Sequence, residues 1–202
     1  MTILAPSAAR VSVERVPSTY RFTVSQYHRM IERGILKEND RVELLEGVIV
    51  PKMTHNPRHD VCVDLTQNAV AEVLPKDWRI RVQSAITTAD SEPEPDVAVV
   101  RGPARRYARS HPRTRDIAIV IEVADATLEE DREVKGPLYA RCRLPVYWIV
   151  NLPESLVEVY TRPKAGRKPS YQARRDFRAE ESVPVLIAGR QVGQIPVSEI
   201  LP

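Results

Sequence analysis

Two carboxylates stand where packed strands ordinarily carry apolar side chains. The run IAIVIEV (117–123) is nearly continuous in apolar residues, the pattern of a strand covered on both faces. Side chains alternate along a strand, so Ala118, Val120, Glu122 and Ala124 share one face and Ile117, Ile119, Ile121 and Val123 the other. Glu122 is then a charge at the edge of the core, where such groups are rarely buried without a partner or a metal. Asp96 opens a second covered strand, DVAVV (96–100), and shares its face with Ala98 and Val100. If the two strands are neighbours, the acids converge, and the small alanines leave space beside them. Carboxylates ~5 Å apart repel by about 3 kcal/mol at an effective dielectric of ~20. The pair is tenable when one acid holds a proton or a cation neutralises both. All-oxygen ligation with room for water is what Mg²⁺ prefers. Singly, Asp96 reads as a turn cap after Pro93 and Pro95, and Glu122 as the partner of an arginine. Together they point to a metal.

Lys135 supplies a cation at a calculable place. It follows a capping-box pair, Thr127 and Glu130, that starts a helix expected to run to about Arg143. Eight residues of helix rise ~12 Å, which matches about four strand residues. A helix packed back over the strand therefore brings Lys135 beside Val120 to Glu122. Asp131 and Tyr139 lie four positions to either side, on the same helix face. Val134, Leu138 and Cys142 form the adjacent apolar stripe, which leaves Lys135 at the margin of the buried face. Pro137 lies in the helix interior, where it costs about 3 kcal/mol unless compensated. The resulting kink either aims the lysine or spoils the site.

The elements around these residues follow from periodicity and punctuation. Thr23 and Gln26 form a capping box for a helix over 23–33, which Gly34 ends. RVELLEGVIV reads as a hairpin turning near Glu46-Gly47. Asn56-Pro57 starts a helix over about 57–74 with Val61, Leu65 and Val73 inward. A half-buried strand is expected from Arg79 to Ile86. Further strands are expected at 146–151, 156–160 and around 170–177, with short β pieces to the end. The alternation indicates an α+β (mixed α/β) fold. The 202 residues suit a loose arm over 1–19 and one domain over 20–202. Hydrophobic content of 43% with 28% charged residues excludes disordered and membrane classes. Cys62 and Cys142 form no CxxC pair and read as apolar fillers in a reducing compartment. The first 20 residues lack the apolar core of a signal peptide, so a cytoplasmic location is expected.

Net charge is only +3, but its distribution is uneven. Six arginines and no acid fall between Arg101 and Arg115, in a stretch marked as a loop by Gly102, Pro103 and Pro112. Seven acids and one base follow over 116–133, and 162–175 is again purely basic. An acidic strand and helix between two basic loops suit a metal site flanked by phosphate-gripping arms. A solvated surface explains the second basic stretch equally well.

The ordered series ELLEG (43–47), His59, Gln83, PEPDVAVV (93–100), IVIEVAD (119–125), DREVK (131–135) and YWIVN (147–151) resembles a family of small bacterial restriction-endonuclease-like proteins. That family was long catalogued as a domain of unknown function and belongs to the PD-(D/E)xK nuclease superfamily. The likeness runs from about Phe22 to Tyr160, with a weaker tail to Leu201. It implies a mixed central sheet flanked by helices, with Asp96 and Glu122 as Mg²⁺ ligands and a further acid at Glu43. The superfamily's lysine stands two positions after the second acid, which here is Ala124. Lys135 looks like its migrated substitute.

The expected activity is Mg²⁺-dependent hydrolysis of DNA phosphodiesters, with Mn²⁺ as a substitute metal. Lys135 would orient or deprotonate the attacking water. Arg101, Arg105, Arg106 and Arg109 would hold backbone phosphates, and His59 and Gln83 would line the pocket. A homodimer is expected, since cutting both strands usually takes two sites. Two rivals remain: a DNA-binding protein that keeps the fold without turnover, and a glycoside hydrolase using the same acids. Only 11 aromatic residues give the latter little stacking surface.

Overall fold

The computed structural model describes residues 19–202. Helix α1 (Val24–Glu32) leads to strands β1 (Val42–Leu45) and β2 (Val48–Pro51), and helix α2 spans Pro57–Val73. Strands β3 (Trp78–Val82), β4 (Val97–Arg101) and β5 (Ile117–Ala124) follow. A short α3 (Leu128–Glu130) then passes through a π-helical turn (Asp131–Lys135) into α4 (Gly136–Arg141). The remainder is β: β6 (Val146–Asn151), β7 (Leu156–Lys164), β8 (Ser170–Arg178), β9 (Ser182–Ile187) and β10 (Arg190–Pro196). The arm expected over 1–19 lies almost wholly outside the described residues. No helix among the described residues is long and apolar enough to cross a membrane.

Strands β3 to β8 form one mixed sheet in chain order. Only β5 and β6 are parallel, and α3–α4 provides the crossover that parallel neighbours require. Both faces are covered, as the unbroken apolar runs imply. On one face α2 and the β9–β10 hairpin bury Val97, Val99, Ile121, Val123, Trp148 and Val150. On the other, Leu138 and Tyr139 of α4 and Leu45 of β1 pack over Ala98, Val120, Ala124 and Ile149. The β1–β2 turn depends on Gly47, which has φ +78°. A Cβ there would lie 2.8 Å from Arg21 Cβ and 2.9 Å from the Phe22 carbonyl oxygen.

Several expectations are corrected. Val61 is exposed, because Cys62, Val63, Thr66 and Val70 carry the buried face of α2. The strand expected over 79–86 ends at Val82, where Gln83 adopts φ 42° and turns the chain away from the sheet. The alternation along β5 reverses at its start: Val99 pairs with Ile119 but Val100 with Ile117. This bulge puts Ala118 into the α2-side core and Ile117 into the other. The Thr127–Glu130 capping box does not form. Thr127 instead donates its hydroxyl to Asp131 Oδ2 at 2.8 Å. Val134 is exposed, since the π-helical turn inserts a residue and rotates the preceding turn relative to α4. The same turn accommodates Pro137, which sits at the start of α4, where its missing N–H costs little. The basic stretch 162–175 is largely strand, belonging to β7 and β8.

Candidate active site

In the antiparallel β4–β5 pair, Val97 stands opposite Ile121. Continuing that register brings Asp96 and Glu122 together where the strands end. The two acids are tied by backbone donors: the Asp96 N–H reaches Glu122 Oε2 at 3.4 Å, and the Val123 N–H reaches Asp96 Oδ2 at 2.8 Å. Lys135 Nζ lies 3.2 Å from Glu122 Oε2 and 3.3 Å from Asp131 Oδ1. Tyr139 donates its hydroxyl to Glu122 Oε1 at 2.7 Å. Glu43 enters from β1 and accepts the Glu94 N–H at 2.9 Å. His59, in the first turn of α2, places Nε2 3.1 Å from Asp96 Oδ2.

These groups floor a cleft of about 250 Å³ whose lining includes Glu43, His59, Gln83, Asp96, Glu122, Asp131 and Lys135. Glu43, Asp96, Glu122 and Asp131 are all buried. Burial and the neighbouring Asp131 and Asp96 charges push Glu122 up to about 8, against the opposing effects of Lys135 and Tyr139. Burial likewise raises Glu43 and Asp131. Asp96 is the exception. Burial raises its carboxyl too, but His59, the Val123 N–H and Lys135 together bring it below the ordinary value. For Lys135, burial disfavours the charge, yet Glu122, Asp131, Glu43 and Asp96 outweigh it and hold the ammonium protonated.

Four carboxylates around one ammonium leave excess negative charge, which without a cation must be held as a proton. Asp131 Oδ1 is buried without a well-directed hydrogen bond among the described residues, although Lys135 lies nearby. A buried all-oxygen donor set whose negative charge exceeds its one ammonium fits a hard dication.

Asp96, Glu122, Lys135, Glu43, Asp131, Tyr139, His59 and Gln83 thus come together around one centre. The four arginines do not line this cleft. Arg101 ends β4, about 16 Å along the strand from Asp96, and its guanidinium lies over the Trp78 ring at 5.0 Å. Arg106 pairs with Asp116 at 2.6 Å, Arg105 is exposed, and Arg109 borders a separate depression with His28 and His111. Sequence reasoning missed Arg41, Lys52, His55 and Glu94, which also line the cleft. Lys52 pairs with Glu94. The HNPRH spacing was the available signal for His55, because it sets two histidines four residues apart at a helix start.

The fold has a solved counterpart. A crystal structure from Anabaena variabilis ATCC 29413, described as "a putative nuclease belonging to DUF820", is similar with a TM-score of 0.63. The identity is 18% over 89% of this chain and 97% of that one. No curated protein matches the chain. A family model matches residues 24–197 and covers the central sheet, the acidic cleft and the helices over it. The chain belongs to that family, described as "Uma2: Putative restriction endonuclease".

Proposed function

We propose that the protein is a Mg²⁺-dependent endonuclease that hydrolyses DNA phosphodiester bonds in this cleft. The observation that carries the reading is the convergence of Glu43, Asp96, Glu122 and Asp131 on the single buried ammonium of Lys135. Family membership and the nuclease-like fold support it. Asp96 and Glu122 would hold the cation, with Glu43 and Asp131 available beside them. When bound, the metal would polarise the phosphate and lower the pKa of a water.

The remaining work falls to the chain. Val123 and His59 fix the Asp96 carboxylate from two directions. Tyr139 holds one oxygen of Glu122 and leaves the other facing Lys135. The Lys135 ammonium would orient the attacking water and stabilise charge developing on the phosphate. Arg101, Arg105, Arg106 and Arg109 would act away from the cleft. At ~3.4 Å per base pair, Arg101 is about five base pairs from the acids, a spacing suited to backbone contacts along a duplex. Cutting both strands would call for two copies of the chain.

Supercoiled plasmid with Mg²⁺ or Mn²⁺, with and without chelator, tests the reading with the native chain and Glu122→Ala. Cleavage that requires metal and disappears in Glu122→Ala, with DNA binding retained, is the expected result. Salt-sensitive DNA binding with no cleavage in any metal would replace it with the binding-protein reading, and chelator-resistant hydrolysis of a glycoside with the third.

A further inference from the structure

A second, chemically different cation position lies at the rim of the same cleft. His55 precedes the Asn56 cap of α2, and His59 and Asp60 lie in its first turn. One ligand atom from each of His55, His59 and Asp60 falls within a sphere suited to a single ion. His59 Nδ1 is 3.4 Å from Asp60 Oδ1 and His55 Nδ1 is 3.7 Å from it. Ligands at about 2.0–2.1 Å in a tetrahedral site stand about 3.3 Å apart. The two imidazoles stack with centroids 4.2 Å apart and an interplanar angle of 23°, and a turn of His55 out of that stack would bring its Nδ1 to an ion beside His59.

The second nitrogen of His59 adds an independent observation. Its Nε2 faces the buried Asp96 carboxylate at 3.1 Å. With Nε2–H donated to Asp96, the neutral ring would offer its Nδ1 lone pair to a cation beside Asp60, in place of the 3.4 Å Nδ1–Asp60 hydrogen bond. A histidine whose far nitrogen is held by a carboxylate while the near one carries a lone pair is the arrangement found at metal-ligating imidazoles. At His55, Nδ1 accepts from the Gln83 amide at 3.1 Å, which marks that nitrogen too as a lone-pair donor.

We propose that His55, His59 and Asp60 form a zinc-class site, separate from the all-carboxylate floor and joined to it through the His59–Asp96 contact. Two nitrogens and one oxygen suit Zn²⁺ or Co²⁺ far better than Mg²⁺. Three protein ligands leave a fourth position open to the cleft. Binding needs no redox partner: the Gln83 amide turns aside and the lone pairs meet the ion. The proposal does not rest on the nuclease reading, because metal binding is measured directly.

The test is a Co²⁺ titration of the full chain in excess Mg²⁺, read by visible absorption and by displacement with Zn²⁺. One equivalent giving a visible d–d band that Zn²⁺ abolishes is expected. His55→Ala and Asp60→Asn should each weaken Co²⁺ binding at least tenfold, and His55→Cys should retain it through a thiolate. Glu122→Gln should leave the band unchanged. The proposal fails if no band appears, if His55→Ala binds Co²⁺ like the native chain, or if Glu122→Gln abolishes the band and so locates the ion on the acidic floor.

Discussion

Lys135 Nζ lies 3.2 Å from Glu122 Oε2, yet the lysine comes from a helix and the glutamate from the strand beneath it. The same ammonium is 3.3 Å from Asp131, one turn back along its own helix. The cation is thus shared between a sheet and the helix that crosses it, and removing it separates two roles. Lys135→Met is expected to lower metal-dependent cleavage at least about a hundredfold. Mn²⁺ affinity should be kept or increased, because the carboxylates lose their internal counter-ion. Cleavage rates and Mn²⁺ titration on the same preparation check both halves. Unchanged cleavage would remove the lysine from the mechanism.

The Tyr139 ring packs in the core beside Tyr147, and its hydroxyl reaches the glutamate through a 2.7 Å hydrogen bond. Tyr139→Phe should therefore act through the position of Glu122. About a tenfold fall in kcat is expected, with little change in KM and partial recovery at higher metal concentration. A loss confined to KM would place the hydroxyl in substrate binding instead.

A separate polar network permits a pH experiment away from the cleft. Glu158 is fully buried and accepts from Arg132 Nε at 3.1 Å and from Asn151 at 2.8 Å, with Tyr160 as a further donor. Burial alone would raise its carboxyl, but the hydrogen bonds from Arg132, Tyr160 and Asn151 and the charge of Arg174 bring it below the ordinary value. A depressed carboxyl adds stability above its unfolded pKa, about 4.3, and that stability fades as pH falls through the folded value. Arg132→Ala should cost about 1–2 kcal/mol at neutral pH, less than a fully buried pair because Arg132 is partly exposed and Arg174 remains. Urea midpoints of the variant and the native chain should draw together below about pH 4. A gap that widened on acidification would contradict the assignment.

Gly193 lies in β10 against α2, and a Cβ there would come 2.5 Å from Val73 Cβ. Gly193→Ala should destabilise the fold by about 1–3 kcal/mol, the usual range for overpacking. The cleft lies elsewhere, so cleavage per folded molecule should not change. Thermal unfolding with a cleavage assay distinguishes the two effects.

Much of the site was legible in the chain because a charge on an unbroken apolar strand has few explanations. Asp96 and Glu122 stood out that way, and helix rise, with the helix packed back over the strand, brought Lys135 to the acid, while Glu43, His59 and Gln83 came from the family resemblance. The bulge that exchanges Ile117 and Ala118 was not legible, since it exists only in the pairing of β5 with β4. Val134 was misassigned for a related reason: a regular helical period cannot anticipate a π-helical turn. The arginine-rich stretch showed how much positive charge there is but not where it points. Charge density carries no direction until the chain around it is folded.

The turn through Asp131–Lys135 makes the reach of the lysine a question of rotational phase. Deleting one residue there would swing the ammonium by about 100° around the helix axis, with the sheet below undisturbed. Asp96 and Glu122 answer to strand register, while Asp131 and the ammonium answer to helical angle, so the two strand acids can be retuned apart from the helical half of the centre.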